Sequence, residues 1–238
     1  MTRTHRIAGH RKNIILNARS LRVLRWIGEQ EAVTYDHISQ LLGTLSTRAT
    51  KEIGILSASA TTQVLSNWLE LGLIEQRKII AMTPPWVWLT THGLRELGFD
   101  FNFSSPRLSE LPHIHAINFI RLLTEQQTVD AQWISQRHLQ AEQPKRTRGL
   151  DLPHLPDALV LRENARYAIE IELTAKSQIR LASILQELVL SYDLVFYYAS
   201  AEAAHAVRTA LLNLSEAEQK QVRIALLGEE YGYSIIRV

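Results

Sequence analysis

The stretch HLPDALVLRENARYAIEIELTAK, residues 154–176, decides the fold class of the second half of the chain. It places Asp157 directly after a proline, and further on it alternates two glutamates with isoleucines before a lysine follows. Successive side chains of a strand point to opposite faces, so the pattern predicts Glu170 and Glu172 on one face. If the strand that follows Asp157 pairs with this one, three carboxylates gather at one edge of the sheet.

Carboxylates that gather in a partly buried place repel one another, and a cation removes that cost. Mg²⁺ and Mn²⁺ prefer carboxylate oxygens and water, so Asp157, Glu170 and Glu172 are candidate ligands of one such ion. Lys176 lies four residues after Glu172, where its ammonium can stabilise the charge of a phosphoryl transition state. The alternative is a half-exposed strand whose glutamates are solvated, and the pattern alone favours that alternative.

Strand and helix patterns alternate around this stretch and predict an α/β domain. A helix is expected over 111–127 and a strand over 130–140. Two strands joined by a turn at Glu163–Asn164 come next, followed by helix, strand, helix and strand. The predicted order is αβββαβαβ.

The first half of the chain has a different pattern. Helices are expected over 20–33, 34–43 and 57–74, with Thr34 as the N-cap of the second helix and Gly43 as its end. Two strand-like runs then flank AMTPP, a proline-bearing turn. Three helices followed by a hairpin is the order of a winged helix-turn-helix.

A change of composition separates the two halves. The segment FDFNFSSPRLSELP, residues 99–112, carries serines and prolines among polar neighbours and is typical of a linker. We therefore predict a boundary near residue 105, with domains over 1–105 and 106–238. The fold class expected for the whole chain is mixed α/β.

Charge and side-chain type make DNA the expected partner of the first half. Residues 1–108 hold 13 Lys and Arg against 8 Asp and Glu, whereas residues 109–238 hold 13 against 16. The first 25 residues hold seven basic residues and no acid, which is typical of a phosphate-contacting arm or of a solvated tail. A winged-helix domain that binds protein, or only packs, is the alternative. The DNA-contact candidates of the third helix and the wing are Thr61, Thr62, Gln63, Asn67, Arg77 and Lys78.

Composition also excludes several classes of protein. The chain has no cysteine, which excludes disulfides and cysteine-based zinc sites and favours a reducing cytoplasm. No apolar run approaches the roughly 18 residues of a membrane-spanning helix, so no membrane insertion is expected. The basic N-terminus lacks the apolar segment of a secretory signal.

The motifs resemble a known group of enzymes. Pro156–Asp157, twelve further residues and then Glu170-Ile171-Glu172 resemble the PD-(D/E)xK nuclease superfamily, with Glu172 where that superfamily usually has lysine and Lys176 as a displaced substitute. More narrowly, HLPDALVL, YAIEIELTAKS and LPHIHAINFIRLL after a winged helix resemble the replication-relaxation family, over roughly residues 20–200. That family includes the MobC-type relaxases of mobilisable plasmids.

The resemblance implies a restriction-endonuclease-like αβββαβ domain and a metal-dependent DNA nickase at a plasmid transfer or replication origin, with accessory mobilisation proteins as possible partners. It carries over Asp157, Glu170, Glu172 and Lys176, with His154 and His115 as accessory residues that a structural role would explain as well. His113, Arg137 and the basic loop of Lys145, Arg146 and Arg148 are expected to contact the DNA backbone.

Water is the expected nucleophile, because the chain lacks the three-histidine cluster of the tyrosine relaxases and because Tyr197 and Tyr198 fall in an apolar strand. A tyrosine ester is the alternative. Two rival functions remain open. One is a plasmid replication or transcription regulator that binds DNA through the winged helix and has an inactive nuclease-like domain. The other is a restriction-type nuclease, which would make double-strand cuts.

Overall fold

A computed structural model of the protein describes residues 5–6, 15–45, 54–128, 130–143, 153–228 and 236–237. These residues form a mixed α/β protein, which confirms the predicted fold class. The chain divides into two compact units, Met1–Leu122 and Leu123–Val238. No helix in the described ranges is long and apolar enough to cross a membrane.

The first unit combines helices with a three-stranded sheet in which β5 lies between β3 and β4. A separate antiparallel pair is formed by β1 and β2. The elements, in chain order, are β1 (His5–Arg6), β2 (Ile15–Leu16), α1 (Ala18–Glu29), β3 (Val33–Thr34), α2 (Tyr35–Thr44), α3 (Ala58–Glu70), β4 (Ile74–Arg77), β5 (Trp86–Leu89) and α4 (Thr91–Glu96).

Side-chain caps fix where these helices begin. Asn17 accepts a hydrogen bond from the Ser20 amide at 2.8 Å and starts α1. Thr34 caps α2 as predicted. The prediction for Gly43 was wrong, because α2 runs one residue past it. A Cβ on Gly43 would lie 2.1 Å from the Gly54 carbonyl oxygen, so close backbone approach is what requires glycine there.

The core of the first unit lies between α1, α2, α3 and the sheet, with Trp68 as its largest fully buried side chain. Phe99 and Phe101 stack at 4.8 Å and pack against this core, so this part of the predicted linker belongs to the first unit. The division between the units falls further along, within α5 (Leu111–Gln127). The N-terminal part of α5 is fixed to the first unit by Asn118, whose side-chain amide donates to the Ala32 carbonyl at 2.8 Å.

The second unit is built on a six-stranded sheet with the strand order β11-β10-β9-β8-β7-β6. Strands β8, β9 and β10 are parallel, and the other pairs are antiparallel. The elements are β6 (Gln132–Ser135), α6 (Gln136–Glu142), β7 (Ala158–Arg162), β8 (Ala165–Glu172), α7 (Gln178–Ser191), β9 (Leu194–Ala199), α8 (Ala201–Leu211), α9 (Glu216–Gln219), β10 (Val222–Leu226) and β11 (Ile236–Arg237).

The predicted hairpin is confirmed: β7 and β8 pair in antiparallel register across the turn at Glu163–Asn164. The strand predicted over 130–140 was wrong beyond Ser135, where α6 begins. Ser135 has the extended backbone of an N-cap, and the following residues, QRHLQAE, include no β-branched side chain. Local helix preference therefore ends β6 after four residues.

One face of this sheet is covered by α7 and α8. Their apolar side chains pack with Ala168 of β8 and with Val195 and Tyr197 of β9. Because side chains alternate along a strand, Glu170 and Glu172 lie on the same face as Ala168. Ile169 and Ile171 lie on the opposite face.

Candidate active site

The two glutamates of β8 are buried. Glu170 is 2% exposed and Glu172 is 3% exposed, which rules out the solvated half-exposed strand as their explanation. Burial follows because the two side chains lie on the face of the sheet that α7 and α8 cover. Two buried carboxylates two residues apart need partners inside the protein.

Asp157 joins them from the start of β7. Its Oδ2 accepts a hydrogen bond from the Ile171 amide at 2.8 Å, which holds the carboxylate beside the backbone between Glu170 and Glu172. The Asp157 carbonyl also accepts from the Gln136 amide at 3.2 Å, so the main chain at the site is fixed from two sides. The structure therefore brings together the three carboxylates that the sequence singled out.

A lysine and a histidine pair with the two glutamates. Lys176, in the segment between β8 and α7, forms an ion pair with Glu172. His154 Nε2 lies 3.0 Å from Glu170 Oε1. Both cationic side chains are about one quarter exposed, at 28% for Lys176 and 27% for His154, whereas their partners are buried. The exposed groups therefore mark the open side of the site.

His154 is positioned by a residue of α7. The Glu187 Oε2 accepts a hydrogen bond from the His154 backbone amide at 2.7 Å. Ser183, one turn earlier on α7, donates to Glu187 Oε1 at 3.3 Å. Glu187 thus fixes the segment that carries both His154 and Asp157.

The electrostatics of the site follow from this burial. Burial first, and then the charge of Asp157, raise the pKa of Glu170 to about 7. The hydrogen bond to Glu170 raises the pKa of His154 against the opposing effect of burial. The hydrogen bond between the two side chains couples them, so they titrate as a pair.

A tyrosine hydroxyl completes the cluster. Tyr197 stands opposite Glu170 in the parallel pairing of β8 with β9 and is 1% exposed. Its hydroxyl has no hydrogen-bond partner among the residues that the structure describes. Burial first, and then the charges of Glu170, Glu172 and Asp157, raise the pKa of this hydroxyl. A buried unpartnered hydroxyl is costly, and this one marks a place for a further ligand or water.

The donor set was tested against a metal ion. Among the described residues, no group of three or more His, Asp and Glu side chains is arranged to hold a metal ion as it stands. One oxygen of each carboxylate already bonds to His154, Lys176 or the Ile171 amide. The chemistry of the set, three carboxylates on two neighbouring strands, fits Mg²⁺ or Mn²⁺, which would compete with Lys176 and His154 for the carboxylate oxygens.

We expect Mn²⁺ to raise the unfolding temperature, and to do so more at pH 8 than at pH 6. The pKa of about 7 at Glu170 means that the carboxyl group must lose its proton before it binds a cation. Differential scanning fluorimetry with Mn²⁺ or with chelator at both pH values measures the effect. The gain should vanish in Glu170→Gln and persist in Glu163→Gln, which makes the same substitution in the exposed turn between β7 and β8. An equal gain at both pH values would contradict the expectation.

The residues of the first unit that were predicted to contact DNA differ in their exposure to solvent. Thr62 and Gln63 are exposed on α3, and Gln63 donates to the Asn67 side chain at 3.2 Å. Thr61 is 0% exposed. Its prediction as a DNA contact was therefore wrong, because the side chain packs into the interior of the unit. Arg77 and Lys78 are exposed at the end of β4, where the hairpin turns.

Two other predictions have different outcomes. His115 lies in the first unit, where its ring is 4.7 Å from that of His37 and 6.3 Å from that of Trp86. This is a partly buried ring cluster, and burial lowers the pKa of His115 to about 4. Lys145, Arg146 and Arg148 lie outside the described residues.

The sequence did not predict Glu187 as a residue of the site, and it predicted Tyr197 as a core residue without a place at the site. Glu187 gives no signal, because an acid on the polar side of a helix is ordinary. Tyr197 could have been found only from the pairing of β8 with β9, which sets it against Glu170.

Comparison with known proteins leaves the family open: no protein-family model matches the chain, and no curated protein matches it. The resemblance to the replication-relaxation family therefore stays a prediction.

Proposed function

We propose that the protein is a metal-dependent, site-specific DNA nickase of the relaxase type, acting at a plasmid transfer or replication origin. The observation that carries the proposal is the buried cluster of Asp157, Glu170 and Glu172 beside Lys176 and the unpartnered Tyr197 hydroxyl. Buried carboxylates beside a partly exposed lysine are groups that can support phosphodiester hydrolysis. The family resemblance adds the PD-(D/E)xK type of site and a restriction-endonuclease-like domain.

The first unit is proposed as a winged helix that binds the duplex. Three helices, a β4–β5 hairpin and the sheet order β3-β5-β4 support this assignment. The exposed polar side of α3, with Thr62 and Gln63, is suited to base edges, and Arg77 and Lys78 at the hairpin are suited to phosphates.

The reaction is hydrolysis of one phosphodiester bond. A water oxygen forms a bond to phosphorus, one phosphorus–oxygen ester bond breaks, and the leaving oxygen takes up a proton. A divalent cation held by Asp157, Glu170 and Glu172 would supply an electrophile for the phosphate and lower the pKa of water. Lys176 stabilises the negative charge that grows on phosphorus-bound oxygen, and His154 holds a proton against Glu170 at the open side of the site.

Incubation of the protein with supercoiled origin plasmid and Mn²⁺ tests the proposal. We expect open circular product that forms with Mn²⁺ and not with chelator. Linear product would favour the restriction-type nuclease, and no product would remove the enzyme from consideration.

A DNA-binding regulator with an inactive nuclease-like domain is the second candidate. The observation that favours it is the pair of ion bridges, in which His154 and Lys176 pair with the glutamates without a metal. Under this alternative, Mn²⁺ neither stabilises the protein nor induces nicking, while DNA binding persists.

Duplex binding is expected to weaken steeply with salt. Replacing Arg77 and Lys78 together by glutamine should lower the slope of log affinity against log salt by about 1.8, since each phosphate contact contributes about 0.9. Fluorescence anisotropy with labelled origin duplex at several salt concentrations gives the slope. Arg95→Gln, on the exposed side of α4, is the matched control and should leave it unchanged. An equal slope in the double variant would remove the hairpin from the interface.

A further inference from the structure

The face of the second unit's sheet opposite the carboxylates carries a groove. A cavity of about 590 Å³ opens between the end of α5 and strands β7 to β10, within the size range of ligand sites. All of its lining residues belong to the second unit. The site proposed above uses none of them.

Aromatic rings form the floor of the groove. Tyr167 of β8 and Phe196 of β9 meet edge to face, with ring centroids 6.1 Å apart. Tyr198 lies two residues further along β9 on the same face, and Ile169 stands beside Phe196 in register. The three rings are only partly buried, so the groove offers aromatic surface to a ligand. Such surface stacks unpaired nucleobases independently of their sequence.

Two arginines flank the rings, and none of the described residues that line the groove is acidic. Arg162 is exposed at the end of β7, and Arg223 is exposed on β10. Two backbone carbonyls orient the Arg223 guanidinium, since its Nη1 donates to Lys220 at 2.6 Å and to Val222 at 3.0 Å. Paired with aromatic surface, this charge selects an anionic ligand that has planar rings.

The spacing of the arginines distinguishes a strand from a single nucleotide. Arg223 is in register with Phe196, which pairs with Ile169, whereas Arg162 pairs with Ala165. Three strand spacings and four residue rises separate the two backbones by roughly 20 Å. One nucleotide cannot present phosphates that far apart, but a single strand of several nucleotides can.

We propose that this groove binds single-stranded DNA, with bases stacked on Tyr167, Phe196 and Tyr198 and phosphates on Arg162 and Arg223. The inference rests on the proposed function, because a nick at an origin leaves a strand end that becomes single-stranded once the duplex unwinds. The amide of Gln127 and the hydroxyl of Thr128, both of which line the groove, add polar groups along its α5 side.

Anisotropy of a labelled oligothymidylate with the full chain tests the proposal. Arg162→Gln combined with Arg223→Gln should weaken binding at least tenfold and lower the salt slope by about 1.4, since single-strand phosphates contribute about 0.7 each. Phe196→Leu keeps the apolar volume and removes the ring, and it should weaken binding by about tenfold. Arg208→Gln, on the exposed side of α8, is the matched control and should bind as the wild type. Thermal melts of all variants report whether each is folded.

The outcomes separate this inference from the nickase proposal. Loss of oligothymidylate binding in the groove variants supports the groove even if the wild type nicks no DNA. Unchanged binding in folded groove variants overturns it even if nicking is robust. Binding of thymidine monophosphate as tight as that of the oligonucleotide, or competition by polyglutamate at equal affinity, also overturns it in favour of a free nucleotide or an acidic peptide.

Discussion

Asp157→Asn and Glu170→Gln are each expected to lower the rate of plasmid nicking by at least about 100-fold, the size of effect seen when one group that stabilises transition-state charge is lost. Both substitutions remove a negative charge and keep a hydrogen-bonding oxygen, which can still accept from the Ile171 amide or face His154. Duplex affinity should stay near that of the wild type, because the first unit is proposed to supply it. The measurement is the single-turnover rate of conversion of supercoiled to open circular DNA in Mn²⁺.

Two controls make this result specific. Glu163→Gln changes the same residue type at the exposed β7–β8 turn and should leave the rate unchanged. Lys176→Gln should slow nicking while sparing Mn²⁺ binding by calorimetry, because its proposed role lies in the transition state. Full nicking by Asp157→Asn would end the metal-nuclease interpretation and leave the DNA-binding regulator.

The second large effect concerns the stability of the first unit in acid. Burial and the neighbouring His115 lower the pKa of His37 to about 3, and burial lowers that of His115 to about 4, both from 6.5. A lowered pKa means that the unfolded chain binds the proton more strongly. The stabilisation is therefore complete above about pH 6.5 and is lost as the pH falls below it. At about pH 5 the loss is up to roughly 2 kcal/mol for His37 and less for the partly exposed His115.

Urea unfolding at about pH 7 and about pH 5, followed by tryptophan fluorescence, measures this loss. The double variant His37→Gln, His115→Gln should lose less stability between the two pH values than the wild type. His92→Gln, whose side chain is half exposed on α4, should behave as the wild type. An identical pH dependence in the double variant would mean that the two rings are not the source.

The sequence predicted local structure where patterns were long and periodic. The helix over 111–127 and the β7–β8 turn agree with the structure because apolar spacing and turn residues determine them locally. The sequence-based prediction failed for Gly43, where the close approach of the Gly54 backbone requires glycine. It also failed for Thr61, because tertiary packing buries this polar side chain. Neither contact is encoded within one element.

The candidate site was predictable only in part for the same reason. Asp157, Glu170 and Glu172 stand out in one short stretch, so their grouping followed from alternation and pairing. The contacts of Glu187 with His154 and of Tyr197 with the carboxylates join positions far apart in the chain, and they depend on how α7 and β9 pack. His115 was predicted as an accessory residue of the site, whereas in the structure its ring packs against that of His37.

The alternation of β8 has a consequence for how this protein can change over time. Glu170 and Glu172 point to one side of the strand, and Tyr167 and Ile169 point to the other. Insertion or deletion of a single residue within the strand would exchange the two surfaces, placing acids in the groove and apolar groups in the cluster. We therefore expect the length of β8 to be kept in evolution, and either surface to change by substitution of single residues.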